Sequence, residues 1–120
     1  MFAIVKAYEF SAGHCLDHLP DGHPCARPHG HNYTVEVEVT ATKLNADSMV
    51  IDFKELDQTV GAWIKAKLDH RDLNPIMTPF RTTSEQMAQW IYDRLSSEFA
   101  IDIAAIRVSE TGKTWAEWRP

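Results

Sequence analysis

The chain has 120 residues, of which 44% are hydrophobic and 24% charged, as expected of one globular domain spanning residues 1–120. Its formal net charge of −5 repels phosphate backbones and argues against nucleic acid as a direct partner. No apolar run approaches the roughly 18 residues that a membrane span needs. The opening MFAIVKAYEF lacks the charged start and apolar block of a signal peptide, so we expect a cytoplasmic location.

Two strands are predicted in the first third of the chain. The segment FAIVKAYEFSAGH places apolar side chains, and finally His14, at even positions, with Lys6 as the exception. The segment HNYTVEVEVTAT alternates more strictly, with Tyr33 and the following odd-numbered valines on one face. If the two strands pair as a hairpin around the loop 15–28, His14 comes close to the start of the second strand.

The middle of the chain predicts two helices, and its end predicts a hairpin. The first helix begins near Asp52, which fits a capping box with Glu55, and the second begins near Thr83, which fits another with Gln86. Apolar residues at helical spacing follow each cap. The closing segments AIRVSE and TWAEW flank a turn at TGK. This order predicts an α+β fold in which a four-stranded antiparallel sheet carries both helices on one face, in the order ββααββ.

Three histidines form the strongest chemical signal. If the second strand extends back through Gly30, His29 and His31 point to one face, because residues two apart on a strand share a face. His14 lies on the apolar face near the end of the first strand, so a hairpin brings all three imidazoles to one end of the sheet. Three neutral imidazoles suit Zn²⁺ and leave a fourth position open, as in catalytic sites. The spacing therefore predicts a zinc centre, and it does not match that of zinc fingers.

The cysteines allow more than one role. Cys25 lies four residues before the His-x-His pair, where it could be a fourth zinc ligand, an inert buried thiol, or a thiolate that acts as base or nucleophile. Spacing alone does not separate these roles. We expect Cys15 to be structural, because a strand residue next to His14 faces the opposite side, and we expect His18 and His23 to be loop histidines.

Two further signals lie outside this region. Asp69 and His70 are neighbours in the chain, and neighbours do not face each other on a helix, so they can act together only in a turn. Glu110 shares the face of the apolar residues in AIRVSE, which puts a carboxylate at the rim of an apolar surface. Its two oxygens match a flat ligand edge with two N–H donors. Pairing with Lys113 at the hairpin end fits the sequence equally well.

The motifs FSAGH, CARPHGH, LDHRDLN, TTSEQ and SET occur in an order that resembles the 6-pyruvoyl-tetrahydropterin synthase family over nearly the whole chain. The three residues between Cys25 and His29 resemble the bacterial 6-carboxy-5,6,7,8-tetrahydropterin synthase branch, since the pyruvoyl-forming branch typically has a longer gap. The resemblance implies the tunnelling fold (T-fold) and a hexamer of two stacked trimers. It also implies that 7,8-dihydroneopterin triphosphate loses triphosphate and acetaldehyde, giving the 6-carboxy product of the 7-deazapurine (queuosine) pathway.

The resemblance also implies roles in the chemical step. The three histidines match the zinc ligands of the family. Cys25 matches a catalytic thiolate that acts as a general base and is not a ligand. Asp69 and His70 match a proton-relay pair that meets the cysteine across a subunit boundary.

The resemblance also implies which residues bind the substrate. Glu110 matches the residue that anchors the pterin ring, and Thr83 with Ser84 fall where the family lines the pterin pocket. The sequence has no glycine-rich phosphate loop, so basic loop residues are the candidates for contact with the triphosphate: Arg27, Arg71 and Lys113.

Two other functions stay open. The same fold could form 6-pyruvoyl-tetrahydropterin, and product analysis would separate the two reactions. A non-catalytic zinc-binding module that assembles through its edge strands would explain the histidines. It would not explain Cys25, Glu110 and the Asp69–His70 pair together.

Overall fold

The computed structural model describes residues 1–120 and contains a five-stranded sheet with helices packed on one face. The strands, in the spatial order β3-β1-β2-β4-β5, are β1 (Phe2–His14), β2 (His29–Ala41), β3 (Arg71–Asp72), β4 (Ile103–Ser109) and β5 (Ala116–Trp118). The helices are α1 (53–67), α2 (Leu73–Met77) and α3 (Ser84–Glu98). None of them combines the length and apolar character needed to span a bilayer.

The predicted α+β class is confirmed, but the prediction of four strands and two helices was too low. The structure adds β3 and α2, which follow each other directly between α1 and α3. β3 has two residues and pairs in parallel with Ala12 and Gly13 of β1, whereas the other pairings are antiparallel. Elements this short carry no hydrophobic period, so the sequence pattern could not reveal them.

The predicted hairpin of β1 and β2 is confirmed, and its register decides where the histidines lie. His14 pairs with His29, and Ala12 pairs with His31. Residues directly opposite each other on paired strands share a face. The register therefore brings the three histidines to the same face and the same end of the sheet.

The core lies between this face and the helices. Along β1 the even positions become buried from Phe10 onward, and along β2 the odd positions are buried from Tyr33 onward, as the alternation predicted. Each fully buried large apolar side chain stabilises the fold by roughly 1.5–3 kcal/mol. Helices α1 and α3 contribute the opposing layer: Leu56, Val60, Ile64, Met87, Ile91 and Leu95.

Helix α1 contains a π-helical turn, Asp57–Gly61, between two α-helical segments. Gly61 lies against the ring of Tyr8 on β1, and a Cβ atom there would come within 2.8 Å of Tyr8 Cε1. Any larger residue at this position would therefore have to displace the ring of Tyr8. The turn that contains Asp69 and His70 follows directly after α1.

Candidate metal centre and active site

The three predicted histidines meet at one end of the hairpin. One potential ligand nitrogen of each of His14, His29 and His31 lies within 4.8 Å of those of the other two. The ring centroids are 4.5 Å apart for His14 and His29, and 5.1 Å apart for His14 and His31. One metal ion can therefore lie between the three imidazoles.

Backbone carbonyls orient two of the rings. Nδ1 of His14 lies 2.9 Å from the carbonyl oxygen of Thr82, and Nδ1 of His29 lies 2.7 Å from that of Arg27. A carbonyl oxygen can only accept, so in both rings Nδ1 carries the proton. The lone pair is then on Nε2, which is the arrangement of histidines that ligate metals.

The environment of the cluster fits a cation. Nε2 of His14 and Nε2 of His31 are both buried and lack a hydrogen-bond partner within the chain. Leaving a buried polar atom unpaired costs about 1–3 kcal/mol, which a bound ion would offset. Burial also lowers the pKa of His14, although the hydrogen bond to Thr82 opposes this shift. The neutral imidazole that results is the form that binds metal, and the donor set is compatible with zinc.

Glu110 lies directly beside the histidines. Its Oε2 is 3.1 Å from Nε2 of His31, in a contact that is not aligned as a hydrogen bond. Ser84, the first residue of α3, donates its hydroxyl to Oε1 of Glu110 at 3.0 Å. The alternative pairing of Glu110 with Lys113 does not form. Thr83 caps α3 by accepting from the backbone N–H of Gln86 at 3.2 Å.

Cys25 lies in the loop between β1 and β2, within a 3₁₀ turn, Pro24–Ala26. Its carbonyl accepts from the backbone N–H of Leu16 at 2.7 Å, and its own N–H donates to Nδ1 of His23 at 3.1 Å. The thiol is not part of the histidine cluster, and Cys15 and Cys25 are both free. The structure thus brings three nitrogen ligands together without the cysteine.

Asp69 and His70 lie in a turn, the condition under which they can act together. Oδ2 of Asp69 is 3.0 Å from Nδ1 of His70, and Oδ1 accepts from the backbone N–H of Ser11 at 3.0 Å. That hydrogen bond, followed by the one from His70, lowers the pKa of Asp69. His70 has φ of 59°, an uncommon left-handed conformation, and its side chain is 81% exposed.

Within one chain, the Asp69–His70 pair does not contact the thiol of Cys25. His70 contacts Asp69 and the backbone of Ser11, and no hydrogen bond joins it to Cys25. His70 and His31 both line an open cleft of about 600 Å³ beside β1 and β3. The predicted site is therefore assembled in part, with the triad and Glu110 together and the Asp69–His70 pair at the edge of the sheet.

Three residues near the triad were not predicted as part of the site, although Tyr33 was placed on the buried face of β2. Thr82 is buried, and both its carbonyl and its hydroxyl lie within 3.1 Å of Nδ1 of His14. The side-chain amide of Asn74 holds the N–H and the carbonyl of Cys15, at 3.0 and 2.8 Å. Tyr33 presents its ring to that of His14, with centroids 5.8 Å apart. The Thr82 and Asn74 contacts join distant parts of the chain, so no local pattern signals them.

Comparison with known proteins identifies the family to which this chain belongs. The sequence model of the family described as 6-pyruvoyl tetrahydropterin synthase matches residues 3–120. The 6-carboxy-5,6,7,8-tetrahydropterin synthase of Haemophilus influenzae is 31% identical over 144 residues, with 99% of each chain covered. The protein of that name from Synechocystis is 33% identical over 115 residues, covering 92% of this chain and 88% of its own.

A solved structure supports the fold. The 6-pyruvoyl tetrahydropterin synthase of Caenorhabditis elegans superposes with a TM-score of 0.87 at 23% identity, covering 99% of this chain and 95% of its own. At this identity the likeness speaks for the T-fold alone. Together with the full-length sequence match, it shows that the chain belongs to the 6-pyruvoyl tetrahydropterin synthase family, a family of enzymes that act on pterins.

Proposed function

We propose that this protein is a zinc-dependent 6-carboxy-5,6,7,8-tetrahydropterin synthase. It would convert 7,8-dihydroneopterin triphosphate into 6-carboxytetrahydropterin, with loss of triphosphate and acetaldehyde, in the 7-deazapurine (queuosine) pathway. The observation that carries the proposal is the histidine triad with Glu110 in contact with one of its members. Relatives named for the 6-carboxy product and matching nearly the full chain support this choice of reaction.

The triad residues His14, His29 and His31 would hold the zinc ion. Bound there, zinc would supply a Lewis acid that polarises the hydroxyl groups of the substrate side chain and acidifies the neighbouring carbon-bound protons. Cys25 would accept such a proton as general base. Its separation from the histidine cluster is compatible with a base that is not a ligand.

His70 would exchange protons with the same substrate. The carboxylate of Asp69, 3.0 Å from Nδ1, orients the ring and leaves Nε2 to face outward. Because His70 is exposed and does not contact Cys25 in the same chain, we propose that it serves the site of a neighbouring subunit. A ring of chains would bring the two residues together, and a hexamer of two trimers is the assembly we expect.

Substrate recognition would rest on Glu110. Its carboxylate, held by the Ser84 hydroxyl at 3.0 Å, can accept two hydrogen bonds from the edge of the pterin ring. Thr83 lies next to Ser84 at the start of α3 and would line the same pocket. Arg27, whose carbonyl orients His29, is our candidate for contact with the triphosphate.

Product analysis tests the proposal. The purified protein, loaded with zinc, is incubated with 7,8-dihydroneopterin triphosphate, and the pterin, acetaldehyde and triphosphate are identified by mass spectrometry. Formation of 6-carboxytetrahydropterin with one acetaldehyde per turnover is expected. A 6-pyruvoyl product without acetaldehyde would assign the alternative reaction, and the absence of turnover in a zinc-loaded sample would favour a non-catalytic zinc-binding module.

A further inference from the structure

A second cavity lies on the helical side of the molecule, and apart from Arg71 its lining residues have no role in the proposed reaction. It has a volume of about 400 Å³, within the range of small-molecule sites. It is open to solvent, and residues of α1, β3, α2 and α3 form its walls. Eight residues line it: Trp63, Ala66, Lys67, Arg71, Ile76, Trp90, Arg94 and Glu98.

Two tryptophans form the apolar part of this cavity. Trp63 on α1 and Trp90 on α3 are each 7% exposed, and their ring centroids lie 6.0 Å apart. The guanidinium of Arg94 covers the ring of Trp90 at 5.1 Å from its centroid. Such aromatic walls offer a ligand apolar contact at little cost in side-chain entropy, because the rings are already held in place.

The walls carry an excess of positive charge. Lys67, Arg71 and Arg94 line the cavity together with one carboxylate, that of Glu98. None of the three cations forms an ion pair, although acidic residues outnumber basic ones by 17 to 12 in the chain. Glu98 is instead engaged by the indole N–H of Trp63, at 3.2 Å.

Arginines elsewhere in the chain behave differently. On the opposite face of the sheet, Arg107 and Arg119 both bind Glu38 and Glu117, at distances of 2.6–3.2 Å. Of the three cations of the cavity, Arg71 donates from Nη2 to the carbonyl oxygen of Ala66 at 3.2 Å, whereas the side chains of Lys67 and Arg94 have no hydrogen-bond acceptor within the chain. Guanidinium groups present paired N–H donors that match the oxygens of phosphate.

We infer that this cavity binds a small organic phosphate, with the phosphate on Lys67 and Arg94 and an apolar group against the tryptophans. The site is distinct from the histidine triad, because none of its eight lining residues belongs to the triad or contacts it. Arg71 also lines the cleft that contains His70, so it is left unchanged in the test below.

Phenyl phosphate is the probe, because it joins one phosphate to one ring. The full-length chain is labelled with 5-fluorotryptophan, and each ¹⁹F signal is assigned with single Trp→Phe variants. We expect phenyl phosphate to shift the signals of Trp63 and Trp90 saturably, with a Kd below about 1 mM. Trp115 and Trp118 do not line the cavity and serve as internal controls. Inorganic phosphate and phenol, each carrying one half of the probe, should bind at least about tenfold more weakly.

Charge removal provides the matched comparison. The double variant Lys67→Gln/Arg94→Gln changes two exposed residues and should weaken binding of phenyl phosphate by about tenfold or more. Lys43→Gln/Lys54→Gln removes the same charge from exposed positions outside the cavity and should leave the affinity unchanged. Equal affinity in the two double variants, or shifts confined to Trp115 and Trp118, would overturn the assignment. The measurement needs neither zinc nor turnover, so its result is independent of the proposed reaction.

Discussion

His31 and Glu110 are in contact, with Nε2 of the histidine 3.1 Å from Oε2 of the glutamate. His31 is the third residue of β2, and Glu110 directly follows β4. Their contact joins the predicted metal centre to the predicted pterin anchor in a single site. Substrate held by Glu110 would therefore lie next to the ion held by the triad, which is the arrangement that the proposed chemistry requires.

Metal content tests the triad. We expect the protein to bind about one zinc per chain, and His29→Ala/His31→Ala to lose it, because one remaining imidazole cannot form the site. Elemental analysis after gel filtration measures the occupancy. His18→Ala, which removes an exposed loop histidine, should keep its zinc. Full occupancy in the double variant would disprove the centre.

Cys25 is expected to act as base and not as ligand. Cys25→Ala should therefore retain zinc while its turnover collapses, since the three histidines would hold the ion without the thiol. Elemental analysis and product formation are measured on the same sample. Cys15→Ala is the matched control and should keep both properties. Loss of zinc from Cys25→Ala alone would make Cys25 a fourth ligand.

Glu110→Gln tests recognition of the pterin. The substitution replaces a charged acceptor by an amide whose N–H₂ group faces donors on the ligand, so binding should weaken by roughly 1.5–3 kcal/mol. Calorimetry with substrate measures the affinity, and zinc content should stay unchanged. Glu85→Gln changes an exposed glutamate in the first turn of α3 and is the control. Wild-type affinity and turnover in Glu110→Gln would remove the proposed role.

A shared active site can be tested by complementation. Cys25→Ala and His70→Ala should each be inactive, but mixed oligomers contain sites that take the thiol from one variant and the imidazole from the other. Random one-to-one assembly should restore about a quarter of the wild-type sites. Native mass spectrometry confirms mixing, and steady-state turnover measures recovery. Mixed oligomers without activity would contradict the inter-subunit site.

The charged face of the sheet predicts a pH-dependent stability. Hydrogen bonds from Arg107, and then from Arg119, lower the pKa of Glu38. Because the folded pKa lies below the unfolded one, the ionised carboxylate stabilises the fold above the unfolded pKa, and this contribution is lost as pH falls through the folded pKa. Arg107→Met should therefore lower the free energy of unfolding by about 1.5–3 kcal/mol near neutral pH, and by less below about pH 4.

Denaturant unfolding at fixed chain concentration measures this difference at both pH values. Lys54→Met removes an exposed cation that has no ion pair and should change stability little at either pH. An Arg107→Met penalty that stayed constant with pH would show that lost packing, and not the ion pairs, causes the destabilisation.

Strand periodicity by itself determined the buried faces of β1 and β2, because side chains along a strand alternate between its two faces. It also placed His14 on the buried face of β1, and His29 with His31 on the buried face of β2. The pairing of the two strands, which brings the three histidines together, was a condition of the prediction that the structure fulfils.

Capping residues likewise determined where α1 and α3 begin, since Asp52 accepts from the N–H of Lys54 and Thr83 from that of Gln86. The full capping boxes do not form, because Asp52 does not bond to Glu55 and the side chain of Gln86 accepts from the N–H of Arg81. The family followed from short motifs spread over the whole chain. Each alternation, cap and motif involves only residues that are close together in sequence.

Only the tertiary structure decided the contacts that join distant segments. Thr82 reaches His14, and Ser84 reaches Glu110, because α3 packs across the end of the sheet. β3 forms because the turn after α1 hydrogen-bonds to Ser11 on the edge of β1. Such contacts are set by how whole layers pack, and the residues involved carry no local pattern that distinguishes them from ordinary polar loop residues.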